Sequence, residues 1–397
     1  MAHSLWKAVP FGEAVDVAQG MAFNKKTNHA MSDTGIPLLR ITDLIHGTET
    51  KFVDPRLVSK KFIATPTDII FTRTGQVGLA FRGRTGIVHN NCFRVVPRPG
   101  IDPSYLYWFL RQPAFIEEAR SAATGSAQPD LSHPSFKNLE FRYPQLEEQC
   151  RIAGILSAYD DLIENCQRRI RILEEMARSL YREWFVHFRY PGHESTPLVS
   201  HAWGPEEVIA PQGWTVKKLK EACHEMRRNV AKGLLNEPVP YVGLEHIPRR
   251  SMALDDWDTT TELGSNKLRF QHGEVLFGKI RPYFHKVSVA PFDGICSADT
   301  IVIRPKQREY EALVTALVAS DDFVAKSVAS SNGSKMPRAN WGVLENTPFL
   351  VPPDGLVRRF NTLFGGAIRE QQIRVRQCHN LRRTRDLLLP KLLEGRD

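Results

Sequence analysis

The sequence lacks long apolar runs and any regular spacing of cysteines. No stretch of about 18 uncharged apolar residues occurs, so we expect no membrane span, and residues 1–7 hold no apolar stretch long enough for a secretion signal. The six cysteines are scattered without a C-x-x-C pair, which argues against zinc-ligand spacing and against a dense disulfide framework. We therefore expect a cytoplasmic protein whose cysteines are reduced thiols.

The usual catalytic signatures are also missing. The patterns G-x-S-x-G, H-E-x-x-H and G-x-G-x-x-G do not occur. Residues 273–279 have the glycine spacing of a phosphate-binding loop, but Ile280 stands where a serine or threonine should hold magnesium. The histidines are dispersed, and His187 and His193 have no cysteine or carboxylate at metal-ligand spacing beside them. The sequence therefore predicts neither a catalytic centre nor a metal site.

The length and composition indicate a folded protein with more than one core. The chain has 397 residues, of which 42% are hydrophobic and 24% are charged. One domain rarely exceeds about 250 residues, so at least two cores are expected. The net charge of +9 is weak evidence for a polyanionic partner, because many proteins are slightly basic.

The two halves of the chain repeat each other. Residues 86–88 (Gly-Ile-Val) recur as residues 294–296 (Gly-Ile-Cys), 208 positions later. The same offset relates four further positions, namely Gly125 and Gly333, Pro129 and Pro337, Pro144 and Pro352, and Leu180 and Leu388. A register held over this length predicts a duplicated architecture.

Each copy has a strand-rich part followed by a helical part. Short β-branched runs bounded by turn residues predict strands at 68–73 and 93–96, with counterparts at 274–279 and 300–304. A shorter helix is expected at 103–118, and its counterpart at 310–326.

Two long amphipathic helices are the clearest secondary-structure prediction. Apolar residues recur every three or four positions from Ile152 to Trp184, with no proline between Pro144 and Pro191. A second stripe runs from Phe360 to Leu388. A helix of about 40 residues extends about 60 Å, so its stripe needs a partner helix, and the other copy supplies one.

The predicted fold is therefore α+β, with two mixed α/β domains joined by two long antiparallel helices that follow the internal repeat. We assign the first domain to residues 1–145 and the second to residues 193–353. The long helices are assigned to residues 146–192 and 354–397.

Basic and amide side chains cluster in corresponding turns of the two copies. Arginine and lysine pair with guanine edges, glutamine and asparagine pair with adenine, and hydroxyls suit phosphates, so these turns could bind DNA. Ordinary polar turns are the alternative. Two dissimilar sets on a duplicated scaffold favour two different DNA half-sites. The candidate DNA-binding residues are Arg73, Thr74, Gln76, Arg82, Arg84, Ser126 and Gln128 in the first copy and Lys279, Arg281, His285, Lys286, Ser334, Lys335 and Arg338 in the second.

Two groups on the first long helix allow more than one interpretation. The acidic residues Asp160, Asp161 and Glu164 could hold a metal, but a helix surface with ion pairs four residues apart is favoured. Trp184 and Phe185 could line a ligand pocket, but they continue the apolar stripe, so packing is favoured.

Several short motifs follow one another in order along the chain. They are residues 144–149 (Pro-Gln-Leu-Glu-Glu-Gln), 152–156 (Ile-Ala-Gly-Ile-Leu), 160–164 (Asp-Asp-Leu-Ile-Glu), 180–185 (Leu-Tyr-Arg-Glu-Trp-Phe), 387–393 (Leu-Leu-Leu-Pro-Lys-Leu-Leu) and the turns at Gly125 and Gly333. In these motifs the sequence resembles, over almost the whole chain, a known family, the specificity subunits of type I restriction-modification systems. One departure from the family pattern is that Gly365 and Gly366 stand in the second helix where the first has its acidic stretch.

The resemblance implies a non-catalytic subunit that reads a bipartite DNA target with an unspecified spacer. Its helices would bind two methyltransferase subunits and set the spacing of the two half-sites, which recur about every 34 Å on one face of B-DNA. S-adenosylmethionine, ATP and magnesium would belong to the methyltransferase and restriction subunits, and this chain would bind no cofactor. The residues expected at the partner contacts are Asp160, Asp161, Glu164, Tyr181, Trp184, Phe185, Leu388 and Leu392.

Two other classes of function remain as alternatives. A stand-alone sequence-specific DNA-binding regulator would bind its target without methyltransferase subunits. A nuclease or a fused methyltransferase would act on DNA by itself, but the sequence offers no motif for either reaction.

Overall fold

The structure is a computed structural model that describes residues 6–203, 206–333 and 335–394. In it the first copy is rich in short strands. Its strands are β1 (Lys7–Pro10), β2 (Val15–Gln19), β3 (Met31–Ser32), β4 (Ile36–Leu39), β5 (Phe52–Val53), β6 (Ile63–Ala64), β7 (Ile69–Thr72), β8 (Ala80–Phe81), β9 (Gly86–Val88), β10 (Cys92–Pro97) and β11 (Glu140–Tyr143). Its helices are α1 (Phe11–Ala14), α2 (Ile41–His46), α3 (Pro103–Leu110), α4 (Pro113–Ser121) and α5 (His133–Asn138), and the long helix α6 (Leu146–Tyr181) follows.

The second copy begins with a hairpin and then follows the order of the first. Its strands are β12 (Leu198–Trp203), β13 (Glu206–Pro211), β14 (Thr215–Lys218), β15 (Cys223–Glu225), β16 (Arg228–Val230), β17 (Gly233–Val242), β18 (Asp258–Leu263), β19 (Lys267–Phe270), β20 (Val275–Gly278), β21 (Val287–Val289), β22 (Gly294–Cys296), β23 (Thr300–Pro305) and β24 (Pro348–Val351). Its helices are α7 (Leu219–Ala222), α8 (Glu311–Val318), α9 (Asp321–Ala329) and α10 (Trp341–Leu344), and the long helix α11 (Asp354–Leu393) ends the series.

Corresponding sheets recur in the two copies, which confirms the predicted duplication, although the edge strands β3 and β16 of the five-stranded sheets pair with strands that are not equivalent. The pair β1-β11 matches β14-β24, and the four-stranded sheet β2-β10-β7-β8 matches β15-β23-β20-β21. Each copy also has a five-stranded sheet with one parallel pair, β4-β9 in the first and β17-β22 in the second. The α+β fold with two mixed domains is therefore confirmed.

The glycine that opens the repeated Gly-Ile pair is required by this parallel pairing. A Cβ atom on Gly86 would lie 2.4 Å from the carbonyl oxygen of Pro37, and one on Gly294 would lie 2.8 Å from that of Pro240. Only glycine lets the two backbones approach this closely.

Two of the predicted helices are wrong in their boundaries, because each is two helices in the structure. The stretch 103–118 breaks before Pro113. The proline ring forces the preceding residue, Gln112, into an extended conformation, and Pro113 is the first residue of α4. The stretch 310–326 breaks at Ser320, whose side chain accepts a hydrogen bond from the amide of Phe323 and so caps α9.

The first long helix also ends earlier than the predicted limit near Pro191. After Tyr181 a single π-helical turn follows, Arg182–Val186, and Phe188 has a left-handed backbone with φ of 55°. The aromatic rings of this segment close around Trp214, with centroid distances of 5.4 Å for Phe185 and 5.6 Å for Phe188. Aromatic packing therefore replaces the last helical turns.

The chain divides into two compact units, and each unit has its own core. The first unit comprises the residues up to 161 together with those from 382 onward, and the second comprises residues 162–381. In the first unit Phe136 is fully buried, and its ring lies 4.8 Å from that of Phe71 and 5.0 Å from that of Phe93.

The long helices pack antiparallel, as predicted, and this is visible within the second unit. Near the start of that unit, the carbonyl of Ile163 in α6 lies 3.6 Å from the sulfur of Cys378 in α11. Further along α6, the ring of Trp184 lies 5.7 Å from that of Phe360 near the beginning of α11. The two helices therefore run in opposite directions. Apolar residues of both helices form the contact between them.

A buried carboxylate ties α6 to the second copy. Glu174 is 8% exposed and accepts hydrogen bonds from the amide of Met252 at 2.8 Å and from the hydroxyl of Ser251 at 2.6 Å. It also pairs with Arg178 at 3.0 Å, and Arg178 in turn donates to the carbonyl of Arg250 at 3.1 Å. One side chain therefore satisfies donors from the helix and from the loop beside it.

We expect Glu174→Ala to lower the free energy of unfolding by roughly 2–3 kcal/mol, because the buried donors would lose their acceptor. Glu175→Ala, on the exposed neighbour, should change it by less than about 0.5 kcal/mol. Urea denaturation followed by circular dichroism measures both. Equal small effects would show that the Glu174 network does not stabilise the fold.

Candidate nucleic-acid interface

The polar turns singled out in the first copy lie against one another. The turn after β7, residues 73–76, is tied by backbone hydrogen bonds to the loop 124–131, and we call these residues the first turn cluster. The bonds run from the amide of Gly75 to the carbonyl of Pro129 (2.8 Å), from the amide of Leu131 to the carbonyl of Arg73 (2.9 Å) and from the amide of Arg73 to the carbonyl of Asn91 (2.9 Å).

The second copy repeats the same backbone frame. The turn after β20, residues 279–282, is tied to the described part of the loop 332–339, and we call these residues the second turn cluster. The bonds run from the amide of Arg281 to the carbonyl of Pro337 (2.7 Å), from the amide of Ala339 to the carbonyl of Lys279 (2.9 Å) and from the amide of Lys279 to the carbonyl of Asp299 (2.8 Å).

These matching bonds establish which residues of the two clusters are equivalent. The sequence comparison missed the equivalence within the turns, because β7 and β20 are related by 206 positions whereas the flanking elements are related by 208. The connection after the turn is two residues longer in the second copy. The equivalent pairs are Arg73 and Lys279, Gly75 and Arg281, Asn91 and Asp299, and Asp130 and Arg338.

A left-handed glycine shapes the loop of each cluster. Gly125 has φ of 98° and Gly333 has φ of 97°, a backbone conformation that other residues rarely adopt. A Cβ atom on Gly125 would also lie 2.9 Å from the carbonyl oxygen of Gln128. This requirement explains why the glycine recurs in both copies.

Asp130 holds the first turn cluster together through side chains. Its carboxylate accepts from the guanidinium of Arg73 at 2.5 Å and from the hydroxyl of Thr74 at 2.5 Å. The same guanidinium donates to the carbonyl of Leu131 at 2.9 Å and lies over the ring of Phe93. With 12% of its side chain exposed, Arg73 is largely committed to contacts inside the protein.

The other first-copy candidates fall into two groups. Gln76, Ser126 and Gln128 are exposed in the first turn cluster, where they can meet a ligand. The guanidinium of Arg82 lies over the ring of Tyr107 at 4.3 Å and donates a hydrogen bond to the hydroxyl of Ser104. Arg82 therefore contacts residues outside the first turn cluster. Arg84 is partly buried after β8.

The second turn cluster borders a cleft of about 460 Å³ that carries positive charge. Lys279 and Arg338 line this cleft together with Asn332, Asn340 and Arg227. The Nε atom of Arg338 lies 3.6 Å from the carboxylate of Asp299. Lys335 is exposed in the same loop, and Ser334 lies outside the described residues.

Arg281 has an unusual backbone conformation for an arginine. Its φ is 50°, in the left-handed region where glycine is preferred, and the equivalent residue of the first copy is Gly75. Its Nε atom is buried and has no hydrogen-bond partner among the described residues.

His285 and Lys286 are directed into the second unit. His285 is 2% exposed, its Nε2 lies 3.0 Å from the carbonyl of Ala319, and burial lowers the pKa of its imidazole. Lys286 donates to the carbonyl of Leu244, and burial lowers the pKa of its ammonium group. Neither side chain lies in the cleft beside Lys279.

Most of the residues expected at partner contacts are partly buried within one of the two units. In the first unit, Asp160 pairs with Arg385 and with Arg111 (3.2 Å), while Asp161 is exposed. In the second unit Glu164 is exposed. Leu388 and Leu392 pack on the first core, and Tyr181, Trp184 and Phe185 belong to the second.

Several apolar residues of the long helices are exposed, although the sequence pattern places Leu162, Met176 and Leu363 in the apolar stripes predicted to pack between the helices. Leu162, Ile172 and Met176 of α6 are 47–60% exposed and lie within about 80° of one another around the helix axis. Leu363 and Ile373 of α11 are 49% and 53% exposed. Spacing of three or four residues did not separate them from the buried residues of the stripe, because both groups recur with the helical period.

The described ranges lack both a cluster of metal ligands and a membrane-spanning helix. Within residues 6–203, 206–333 and 335–394, no three side chains of His, Cys, Asp or Glu are grouped as metal ligands would be. In the same ranges no helix combines the length and the apolar character needed to cross a membrane.

Comparison with known proteins shows which family model and which curated proteins this chain resembles. A family model described as the type I restriction modification DNA specificity domain matches residues 3–175. The chain is 26% identical over 339 residues to the type I restriction enzyme MjaIX specificity subunit of Methanocaldococcus jannaschii, which covers 82% of this chain and 77% of that protein. It is 25% identical to the EcoDI specificity subunit of Escherichia coli, covering 67% of this chain and 64% of that protein.

A solved structure shows the same fold. The type I restriction-modification system S subunit from M. genitalium superposes with a TM-score of 0.62 at 14% sequence identity. The match covers 98% of this chain and 96% of that one.

Proposed function

We propose that this chain is a DNA specificity subunit of a type I restriction-modification system and that it reads a bipartite DNA target with its two copies. Residues 1–145 and 193–353 are the two target-recognition domains. The chain is the recognition subunit of a restriction enzyme and not its catalytic subunit.

The observation that carries this proposal is the pair of turn clusters. Both have the same backbone hydrogen bonds, but Arg73 and Asp130 of the first are Lys279 and Arg338 in the second. A fixed frame that presents different side chains is suited to reading two different short sequences. Gln76 and Gln128 could accept from and donate to adenine in the first half-site.

The long helices supply the surface for methyltransferase subunits. Exposed apolar side chains such as Met176 of α6 and Leu363 of α11 are suited to burial against another protein. S-adenosylmethionine, ATP and magnesium act in the methyltransferase and restriction subunits, and the assembled complex works on DNA in the cytoplasm.

Sequencing of methylated bases in the host genome tests the function. We expect methylated adenines in a motif with two defined parts separated by unspecified bases, and deletion of the gene for this chain should abolish that methylation. The double variant Gln76→Ala, Gln128→Ala should relax the requirement for one part only. A short undivided motif, or methylation that persists without this chain, would contradict the proposal.

Arg281→Gly should have opposite effects on stability and on binding. Relief of the left-handed backbone should raise Tm by about 2–4 °C, since roughly 1 kcal/mol of strain is removed. Loss of the guanidinium should weaken binding to target DNA by about 1–3 kcal/mol. Differential scanning fluorimetry and fluorescence anisotropy measure the two effects.

Arg250→Gly is the matched control, because Arg250 also has a left-handed backbone, with φ of 55°, but pairs with Asp321 at 2.9 Å. It should leave DNA affinity unchanged. Unchanged affinity of the Arg281→Gly variant would remove Arg281 from the DNA interface.

Met176→Asp and Leu363→Asp should each weaken association with the methyltransferase subunit by tenfold or more, since a charge would be buried in an apolar contact. Leu234→Asp serves as the control, because Leu234 is 82% exposed on β17 and belongs to neither long helix. Co-purification of tagged variants with the adenine methyltransferase provides the measurement. If the Met176→Asp and Leu363→Asp variants kept the partner, whether or not the control variant lost it, the docking surface would lie elsewhere.

A further inference from the structure

The two turn clusters carry different charges at equivalent positions. Among the four equivalent positions of the first copy, Arg73 and Asp130 balance each other, while Gly75 and Asn91 are uncharged. Among the equivalent positions of the second copy, Lys279, Arg281 and Arg338 are basic, and the only acid among the four is Asp299. The same frame is thus neutral in one copy and positively charged in the other.

The first cluster is neutralised by close contact. The carboxylate of Asp130 lies 2.5 Å from the guanidinium of Arg73, and only 12% of that arginine side chain is exposed. An arginine that already has a carboxylate and a carbonyl as partners would have to break both contacts to bind a phosphate.

The second cluster leaves its positive charge available. Lys279 makes no ion pair among the described residues, and it faces the cleft beside Arg338. Arg338 is 3.6 Å from Asp299, too long for a hydrogen bond, and half of its side chain is exposed. The acid that lines the cleft, Glu225, is paired with Arg227 at 2.8 Å.

The donors of this cleft suit a phosphate group. A lysine acts on phosphate as a point charge, while an arginine offers several N–H donors, and both residues line the same concave surface. The amide side chains of Asn332 and Asn340 line it as well and can donate further hydrogen bonds.

We infer that the cleft beside Lys279 and Arg338 holds a backbone phosphate of DNA, and that the equivalent positions of the first copy hold none. This inference rests on the proposed function. The second recognition domain thereby supplies sequence-independent affinity at these positions, whereas the first acts there through shape and uncharged groups.

Salt dependence of binding to a random-sequence 40-base-pair duplex tests the inference, because a phosphate contact needs no target sequence. The full chain in complex with its methyltransferase subunits is titrated at several salt concentrations. Lys279→Gln and Arg338→Gln should each reduce the slope of log affinity against log salt by about 0.9, and the double variant by about twice that. Between 50 and 200 mM salt the double variant should therefore lose roughly tenfold less affinity than the natural chain.

Two variants provide the controls. Arg73→Gln, at the position equivalent to Lys279, should leave the slope unchanged, and Lys279→Arg should retain the natural slope because the charge is kept. Thermal unfolding of each variant shows whether the fold is intact.

The outcomes separate the inference from the proposed function. If the natural complex does not bind duplex DNA even at low salt, the proposed function fails. If it binds, but Lys279→Gln and Arg338→Gln leave the slope unchanged, or Arg73→Gln lowers it equally, the phosphate site in the second copy is wrong while DNA recognition stands.

Discussion

The feature on which the rest of this structure depends is a small set of backbone hydrogen bonds that joins one strand-end turn to one distant loop. In each copy an amide of the turn donates to a proline carbonyl, Pro129 or Pro337, and an amide of the loop donates back to the turn. Because backbone groups make these bonds, they place no demand on side-chain identity. The side chains of the turn clusters can therefore differ while their position is kept.

This division between frame and side chains explains how a duplicated chain can present two unlike surfaces. Asp130 of the first copy is used to hold Arg73 and Thr74, whereas the equivalent Arg338 faces a cleft. The frame is held rigidly by the sheet that contains β7 and β10, or β20 and β23. Loops on such a scaffold are the usual place for recognition residues, since their variation costs the core little.

The sequence allowed much of the fold to be predicted, because its signals are local. The repeat of Gly86 at Gly294 and the helical spacing after Ile152 led to the duplication and to the antiparallel helices. The pairing of Arg73 with Asp130 was not predictable, since the two lie 57 positions apart and meet only through tertiary packing. The early end of α6 was missed for the same reason, because Trp214, which gathers the aromatic rings, belongs to another element.

The left-handed arginine shows how strain and function are related in this fold. At the turn position where the first copy has Gly75, the second has Arg281, with φ of 50° and a buried Nε atom. Glycine is the residue that satisfies this backbone at least cost, and the first copy shows that the frame accepts it. A side chain kept against such a cost needs either a compensating contact or a role outside the chain. The Nε of Arg281 makes no hydrogen bond to the described residues, and under the proposed function the role of this side chain outside the chain is contact with DNA.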